Sequence, residues 1–356
     1  MIKPKIFFLY LTARTKMLED YKVGKEPTTF LYGLAELRKM GFVADFSDLA
    51  FSHFNILRLI LQPLEKLHSW FLRYSLGFRF HQALLLWPLY RNYDVLICTQ
   101  DSIGLPIAFL KRIGLIKSKV IYVSSNLTNV LVNPRFPQFL KFIKKNLQAT
   151  EAIVCSSKKE KELLEKFLKR KVHFLADGID TDFFVPKKTK STIDILSVGK
   201  DPFRDYKTFF RAIKDLNLKI SVVCNPENVK GFKIPNNTML YSNISFRELR
   251  ELYWKTKVVV LPMKETNKPQ GHTVLLTAMA MGKKIIASDV PGITTSYDLK
   301  KYPGITLVKP ENSQELTHEI AKKLKENAKN YFSKKFNQTI SIKTYSKKIA
   351  QLISTL

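Results

Sequence analysis

The sequence is short of acidic residues. Among its 356 residues, 30 Asp and Glu stand against 59 Lys and Arg, which gives a formal net charge of +29. Such an imbalance favours a polyanionic partner: nucleic acid, an anionic membrane surface or a phosphorylated substrate. The sequence has neither the Cys and His spacing of zinc fingers nor an RNP-like aromatic strand, so specific nucleic-acid recognition is not expected. Nucleic-acid binding stays a remote alternative that rests on charge alone.

Cysteine is also scarce. The three cysteines, Cys98, Cys155 and Cys224, lie far apart, each in or beside an apolar run that is typical of a strand. An odd number without paired spacing excludes a disulfide framework and a cysteine-based metal site. We therefore predict three buried core thiols in a reducing, cytoplasmic setting.

Long hydrophobic runs are missing as well. No window approaches the ~18 apolar residues that a membrane-spanning helix needs, so we expect no such helix. The apolar run near the N-terminus covers only residues 6–11 and no small-residue cleavage site follows it, which favours a first strand over a signal peptide. The expected location is cytoplasmic.

Residues 51–90 are rich in apolar residues, with Arg58, Arg73 and Arg79 spaced among them. Two interpretations remain open. The segment is either an insertion of packed helices or a basic amphipathic surface that rests on anionic lipid. The second would place the protein peripherally on the inner face of the cell membrane.

Strand-like and helix-like segments alternate along both halves of the chain. A charged linker at 186–192 separates the halves, and 45% hydrophobic residues suffice for two cores. The pattern predicts an α/β protein with two Rossmann-like domains that face each other across a cleft. We expect an N-terminal domain over 1–185, a C-terminal domain over 193–335, and a terminal helix over 336–356 that packs back towards the first domain. Predicted elements include a strand at 5–11, helices at 28–41 and 105–114, and strands at 194–199, 218–224 and 257–262.

Two strand ends in the second half carry residues suited to an anion. In SVGKDPFRDYKTFF (197–210), a strand ends at Gly199, and Lys200 and Arg204 lie in the turn before a helix. Glycine permits close backbone approach, and two cations suit a pyrophosphate. An ordinary turn with surface cations is the alternative.

The second strand end leads into QGHTVLLTAMAMG (270–282). Free N–H groups near Gly271, His272 and Thr273 would lie at the positive end of the helix dipole, which is a ready site for an anion. Taken alone, His272 would be a capping or packing residue. Two such helix starts in one domain would bracket a single diphosphate.

These segments resemble the donor-binding signature of retaining glycosyltransferases with the GT-B fold, family 4 (glycosyl transferases group 1). TAMAMGKKIIASDVPG is similar to the family pattern EAMAxGxPVIASxxGG, and FLADGIDTDFFVP (174–186) is similar to the segment between the family's two domains. The capped helix and strand in ISFRELRELYWKTKVVVLP (244–262) also match. The resemblance covers about 174–310, and the first half only by architecture.

The resemblance implies transfer of a sugar, with retention at the anomeric carbon, from a nucleotide-diphosphate sugar to a glycan or lipid-linked acceptor. Synthesis of a cell-surface polysaccharide or glycolipid, such as lipopolysaccharide, is the expected setting. Lys200, Arg204 and the helix-start amides would stabilise the leaving diphosphate, with no metal and no other cofactor. Asp180 and Asp182 have metal-like spacing but fall in the interdomain segment, where we expect them to cap the linker.

The sequence departs from the family pattern at both of its glutamates. The second falls on Thr277, a weaker partner for a ribose hydroxyl, and the first falls on Pro269. Glu265, four residues earlier, is the candidate catalytic residue. A catalytically degenerate sugar-nucleotide-binding or scaffold protein on the same fold is therefore the main alternative, and an isomerase is another.

The acceptor is expected on the first domain. Gly24 is the candidate for the loop that faces the donor phosphates, and Asp101 and Asn126 lie on strand-end loops. Each of them has a plain alternative role as a helix cap or turn residue.

Overall fold

A computed structural model of the chain describes residues 3–48, 56–71, 78–125, 127–132, 136–266, 270–327, 332 and 334–356. The chain forms two compact units. Unit 1 comprises Met1–Asp20, Phe30–Ala176 and Tyr345–Leu356, and unit 2 comprises Tyr21–Thr29 and Asp177–Thr344.

The described residues of unit 1 form one parallel sheet of six strands. The strands are β1 Ile6–Leu9, β2 Ala44–Phe46, β3 Val95–Cys98, β4 Lys119–Val123, β5 Ala152–Cys155 and β6 His173–Phe174. Their order is β2-β1-β3-β4-β5-β6, with every neighbouring pair parallel. The direction of progression reverses between β1 and β3, where open α/β sheets provide a crevice for ligands.

Helices connect the strands in this part of the chain. They are α1 Thr15–Lys22, α2 Leu34–Lys39, α3 Ile56–Phe71, α4 Phe80–Leu85, α5 Trp87–Tyr90, α6 Asp101–Arg112, α7 Leu127–Val132, α8 Gln138–Gln148 and α9 Lys158–Leu168. The helix expected at 28–41 is wrong in its first part. Tyr32 and Gly33 have φ values of 50° and 93°, which no right-handed helix can contain, so α2 starts only at Leu34. At Gly33 a Cβ would lie 2.7 Å from Ser346 Oγ, which explains the glycine.

Unit 2 is a second doubly wound sheet. Its strands in the described residues are β7 Ile193–Val198, β8 Ile220–Val223, β9 Thr238–Tyr241, β10 Thr256–Leu261, β11 Lys284–Ser288 and β12 Ile305–Val308. All pairs are parallel in the order β12-β11-β10-β7-β8-β9, which is the Rossmann order with its switch point between β7 and β10. The remaining helices are α10 Tyr206–Ile213, α11 Phe246–Lys255, α12 His272–Ala280, α13 Pro291–Thr294, α14 Ser313–Lys325, α15 Lys334–Thr339 and α16 Ile342–Thr355.

The α/β fold with two Rossmann-like units is confirmed. The three cysteines are buried and free, as predicted. Strands β2 and β9 were not predicted, because they are short and only partly buried, so that no long run of apolar residues marks them. No helix within the described ranges is long and apolar enough to cross a membrane.

Candidate functional site

The switch point of unit 2 lies where two of the predicted loops begin. Strand β7 ends at Val198 and Gly199 follows it, while β10 ends at Leu261 and leads to α12. These two strands are hydrogen-bonded neighbours, so their carboxyl ends lie side by side. The fold therefore brings the two predicted helix starts to one edge of the sheet.

Arg204 lies between the two loops. Its side chain packs directly against Gly199, where a Cβ would be only 1.8 Å from Arg204 Nε. On the other side, Nη1 lies 3.0 Å from Met263 Sδ and 3.5 Å from the position of a Cβ on Gly271. Nε forms an ion pair of 2.8 Å with Asp201 Oδ2, without the alignment of a hydrogen bond. The guanidinium is thus buried, with its side chain only 2% exposed.

Backbone hydrogen bonds also join the two loops. Asp205 N–H donates to the Pro262 carbonyl at 3.1 Å, and Lys264 N–H donates to the Phe203 carbonyl at 2.8 Å. The Tyr206 hydroxyl donates to the Gly199 carbonyl at 2.8 Å. The positions of both loops are therefore coupled, since moving one breaks contacts with the other.

The start of α12 presents backbone amides without a side-chain cap. Its N-cap residue is Gly271, with φ 82°, and a glycine has no side-chain oxygen to accept from the N–H groups of the first turn. A Cβ there would lie 3.2 Å from Ile293 Cδ1, so both the backbone conformation and the packing favour glycine. Helix α12 thus begins with N–H groups available to an anion.

His272 is buried in the first turn of α12, and both of its ring nitrogens have partners. Nε2 lies 2.7 Å from the Gly292 carbonyl oxygen, and Nδ1 lies 3.0 Å from Asp177 Oδ2. Because a carbonyl only accepts, Nε2 carries a proton, and the contact with Asp177 then needs a second proton on Nδ1 or on the carboxyl group. The ring of Tyr297 packs edge-on at 5.2 Å. His272 therefore fixes α12 against two other segments.

Asp177 is a site residue that the sequence reasoning did not single out. It opens the DGID sequence of the segment that resembles the family's interdomain region, which was the available signal. Burial and the neighbouring Asp177 charge raise the pKa of Tyr297 well above its ordinary value, so that phenol stays neutral. Asp180, in the same segment, accepts the N–H groups of Asp182 and Phe183 at 3.0 Å each, which confirms that it caps this turn.

The other predicted donor-side residues differ in exposure. Lys200 and Glu265 are exposed, and Thr273 is partly exposed in the first turn of α12. Thr277 is 3% exposed, one turn further along the helix. Pro269 lies outside the described residues. Lys200 and Glu265 are thus exposed, whereas Arg204 and His272 are buried.

Two of the predicted acceptor-side residues, Gly24 and Asp101, belong to different units. Gly24, with φ 68°, is exposed in the stretch Tyr21–Thr29, which belongs to unit 2. Asp101 is completely buried in unit 1, and its carboxylate accepts from the Tyr122 hydroxyl and, at 2.9 Å, from Ser125 Oγ. It therefore joins the start of α6 to the end of β4. Asn126 lies outside the described residues.

A basic groove of about 720 Å³ opens beside the Arg204 turn. Cationic residues outnumber acidic ones in its lining, which includes Arg204, Lys207, Arg211, Lys230 and Lys264 against Asp205, Glu227 and Glu311. Within the described part of the chain, no three His, Cys, Asp or Glu side chains form a group that could hold a metal ion. The charge of this edge of unit 2 suits an anionic ligand.

Comparison with solved structures identifies the fold. Sucrose-phosphate synthase from Thermosynechococcus elongatus aligns over 99% of this chain and 99% of its own, with 14% identity and a TM-score of 0.73. HepE from Anabaena, solved with UDP and glucose, aligns over 99% and 100% with 13% identity and a TM-score of 0.69. A glycosyltransferase from Rickettsia africae aligns over 100% and 99% with 13% identity and a TM-score of 0.66. The chain has the GT-B fold of glycosyltransferases.

Sequence comparison adds a family match to one part of the chain. Residues 194–326, which include β7 to β12, match the family of glycosyl transferases group 1. No curated protein matches the chain in sequence. The matched residues include Gly199, Arg204 and the start of α12, and therefore include the candidate site.

Proposed function

We propose that the protein is a glycosyltransferase that uses a nucleotide-diphosphate sugar as its donor. Unit 2 would bind the donor and unit 1 the acceptor, a glycan or a lipid-linked sugar used in making a cell-surface polysaccharide or glycolipid. Retention at the anomeric carbon and transfer without a metal are part of the proposal. Both follow from the resemblance to family 4.

The position of Arg204 carries this proposal. The guanidinium lies between Gly199 and Gly271 at the switch point of a Rossmann sheet, where nucleotides bind in this architecture. Its burial keeps water away, so its charge acts on a nearby diphosphate more strongly than an exposed charge would. HepE, with a similar fold, was solved with UDP and glucose and with UDP-glucose.

The phosphates would be contacted by three kinds of group: the amides of His272 and Thr273, the exposed Lys200 and the Arg204 guanidinium. Arg204 also holds the two loops together through its contacts with Gly199 and Met263. All of these groups are in place before the leaving group develops charge, which is the condition for efficient electrostatic stabilisation. Glu265 remains the candidate catalytic carboxylate, because it is an exposed acid on the loop that follows β10.

A non-catalytic sugar-nucleotide-binding protein is the second candidate. It is favoured by Thr277, which replaces a family glutamate and is buried. The two candidates share donor binding and differ in turnover. Hydrolysis or transfer of the bound sugar would support the enzyme, whereas tight binding without release of nucleotide diphosphate under any acceptor condition would support the alternative.

The test is calorimetric titration of the purified protein with UDP, GDP, ADP and CDP and with their sugar derivatives. We expect one base to be preferred, and Arg204→Ala to weaken binding roughly tenfold to hundredfold, the equivalent of about 1.5–3 kcal/mol for a charge-assisted contact. Lys190→Ala, which removes an exposed cation outside this groove, is the matched control. Absence of binding for every nucleotide would refute the proposal.

A further inference from the structure

Helix α3 carries its apolar residues on its outward face. Six of its large hydrophobic side chains are between 48% and 71% exposed: Ile56, Leu59, Ile60, Leu64, Leu67 and Trp70. Their spacing of three and four residues places them along one side of the helix. An ordinary surface helix turns its apolar side to the core, whereas α3 turns its apolar side to the solvent.

The inward face of α3 includes two polar residues that hold the helix in place. Glu65 is buried, accepts the backbone N–H of His81 at 2.9 Å and lies 2.9 Å from His81 Nδ1. One turn further on, His68 packs edge-on against Phe78, with ring centroids 4.0 Å apart. Rotating α3 to turn its apolar face inward would break these contacts of Glu65 and His68. The orientation of α3 is therefore built into unit 1.

The apolar face continues beyond the helix. The ring of Trp70 lies 5.9 Å from that of Phe136, just before α8. Val132, four residues before Phe136 in the chain, is 66% exposed. Lys141 and Lys145 are exposed on α8 itself. Tryptophan is enriched where proteins meet the headgroups of a bilayer, and lysine is attracted to anionic headgroups.

The positive charge of the segments near α3 favours an anionic partner for its outward apolar face. Residues 102–150 contain no Asp or Glu and eight Lys or Arg, and Lys66 on α3 is exposed. A second copy of the chain would bring the same positive charge and be repelled. Anionic lipid would be attracted instead, because each basic residue near the membrane surface adds a favourable electrostatic contribution to binding.

We propose that the outward face of α3 inserts into the headgroup region of an anionic bilayer, with Trp70 and the lysines of α8 at the polar boundary. With 16 residues, α3 is shorter than the about 20 residues of a membrane-spanning helix, so it lies in the plane of the surface. The inference goes beyond sugar transfer and does not depend on it, because lipid binding is measured without donor or acceptor.

This proposal differs from the sequence-based one in the residues that carry it. That hypothesis used Arg58, Arg73 and Arg79. Arg58 and Arg79 are both half-buried, and the Glu65 charge acts on Arg79; Arg73 lies outside the described residues. The hydrophobic side chains of α3, rather than these arginines, would contact the lipid.

The experiment is cosedimentation with vesicles of phosphatidylcholine alone and of phosphatidylcholine with roughly one third phosphatidylglycerol. The variant is Ile60→Gln with Leu64→Gln, which makes the centre of the face polar. The control is Met239→Gln with Leu240→Gln, which changes two side chains of unit 2 that are exposed by 63% and 43%. Thermal unfolding checks that both variants fold.

We expect the wild type and the control to bind the anionic vesicles, and the α3 variant to lose at least about tenfold in partitioning. Bromolipid should quench Trp70 fluorescence in a Trp87→Phe, Trp254→Phe background. Equal binding of the folded α3 variant would overturn the proposal, as would equal binding to both vesicle types. A wild-type dimer that the α3 variant dissociates would assign the face to a second copy instead.

Discussion

Replacement of Gly199 by alanine tests the arrangement at the candidate site most directly. The new Cβ would lie 1.8 Å from Arg204 Nε, 2.5 Å from Cζ and 2.7 Å from Cδ, whereas ordinary contact begins at 3.4 Å. The guanidinium must therefore retreat by about 1.6 Å or leave its position. Gly199 is not among the glycines with positive φ, so the substitution strains the side-chain packing rather than the backbone.

The displaced guanidinium would lose its ion pair with Asp201, at 2.8 Å, and its contact with Met263, at 3.0 Å. Overpacking of this kind costs about 1–3 kcal/mol, although a flexible arginine that swings into water would reduce the loss of stability. The effect on nucleotide binding should equal that of losing Arg204 itself, roughly tenfold to hundredfold.

The assay is a double-mutant cycle read by nucleotide titration and by urea unfolding. Gly199→Ala, Arg204→Ala and the double variant are compared with the wild type. If alanine at 199 acts by displacing Arg204, it has no further effect on binding once Arg204 is gone. Additive losses would refute this reasoning, because they would show that Gly199 and Arg204 act independently.

Three further predictions concern individual side chains. Burial lowers the pKa of His68 to about 4, so below about pH 6.5 this residue takes up a proton when the protein unfolds. The free energy of unfolding should therefore fall by up to about 3 kcal/mol as the pH drops from about 6.5 to 4, and His68→Phe should reduce this pH dependence in urea unfolding. His272→Ala should cost about 1–3 kcal/mol in the same assay, because the Gly292 carbonyl loses its donor, and an unchanged midpoint would contradict this. The three thiols, whose pKa values are raised by burial, should react with Ellman's reagent only after unfolding, and rapid reaction of the native protein would be inconsistent with their burial.

Part of the candidate site was predictable because its signals are local. At both loops of the site a strand, a glycine and a helix start follow one another in sequence, between Val198 and Tyr206 and between Leu261 and His272. The contact between His272 and Asp177 was not predictable in this way, since it joins residues 95 positions apart. The burial of Asp101, at the start of α6, was likewise missed, because its partner Tyr122 lies on strand β4, 21 residues further along the chain.

The sequence by itself determined the alternation of strands and helices, the two-unit α/β architecture and the chemistry offered at the strand ends. These follow from hydrophobic periodicity and from glycine, which act over a few residues. Only the tertiary structure decided that β7 neighbours β10, that Arg204 lies buried between the two loops, and that α3 exposes one of its apolar sides. Strand order and helix rotation depend on contacts between residues that are separated in sequence, such as Glu65 and His81. A local sequence pattern gives no information on the energy of such contacts.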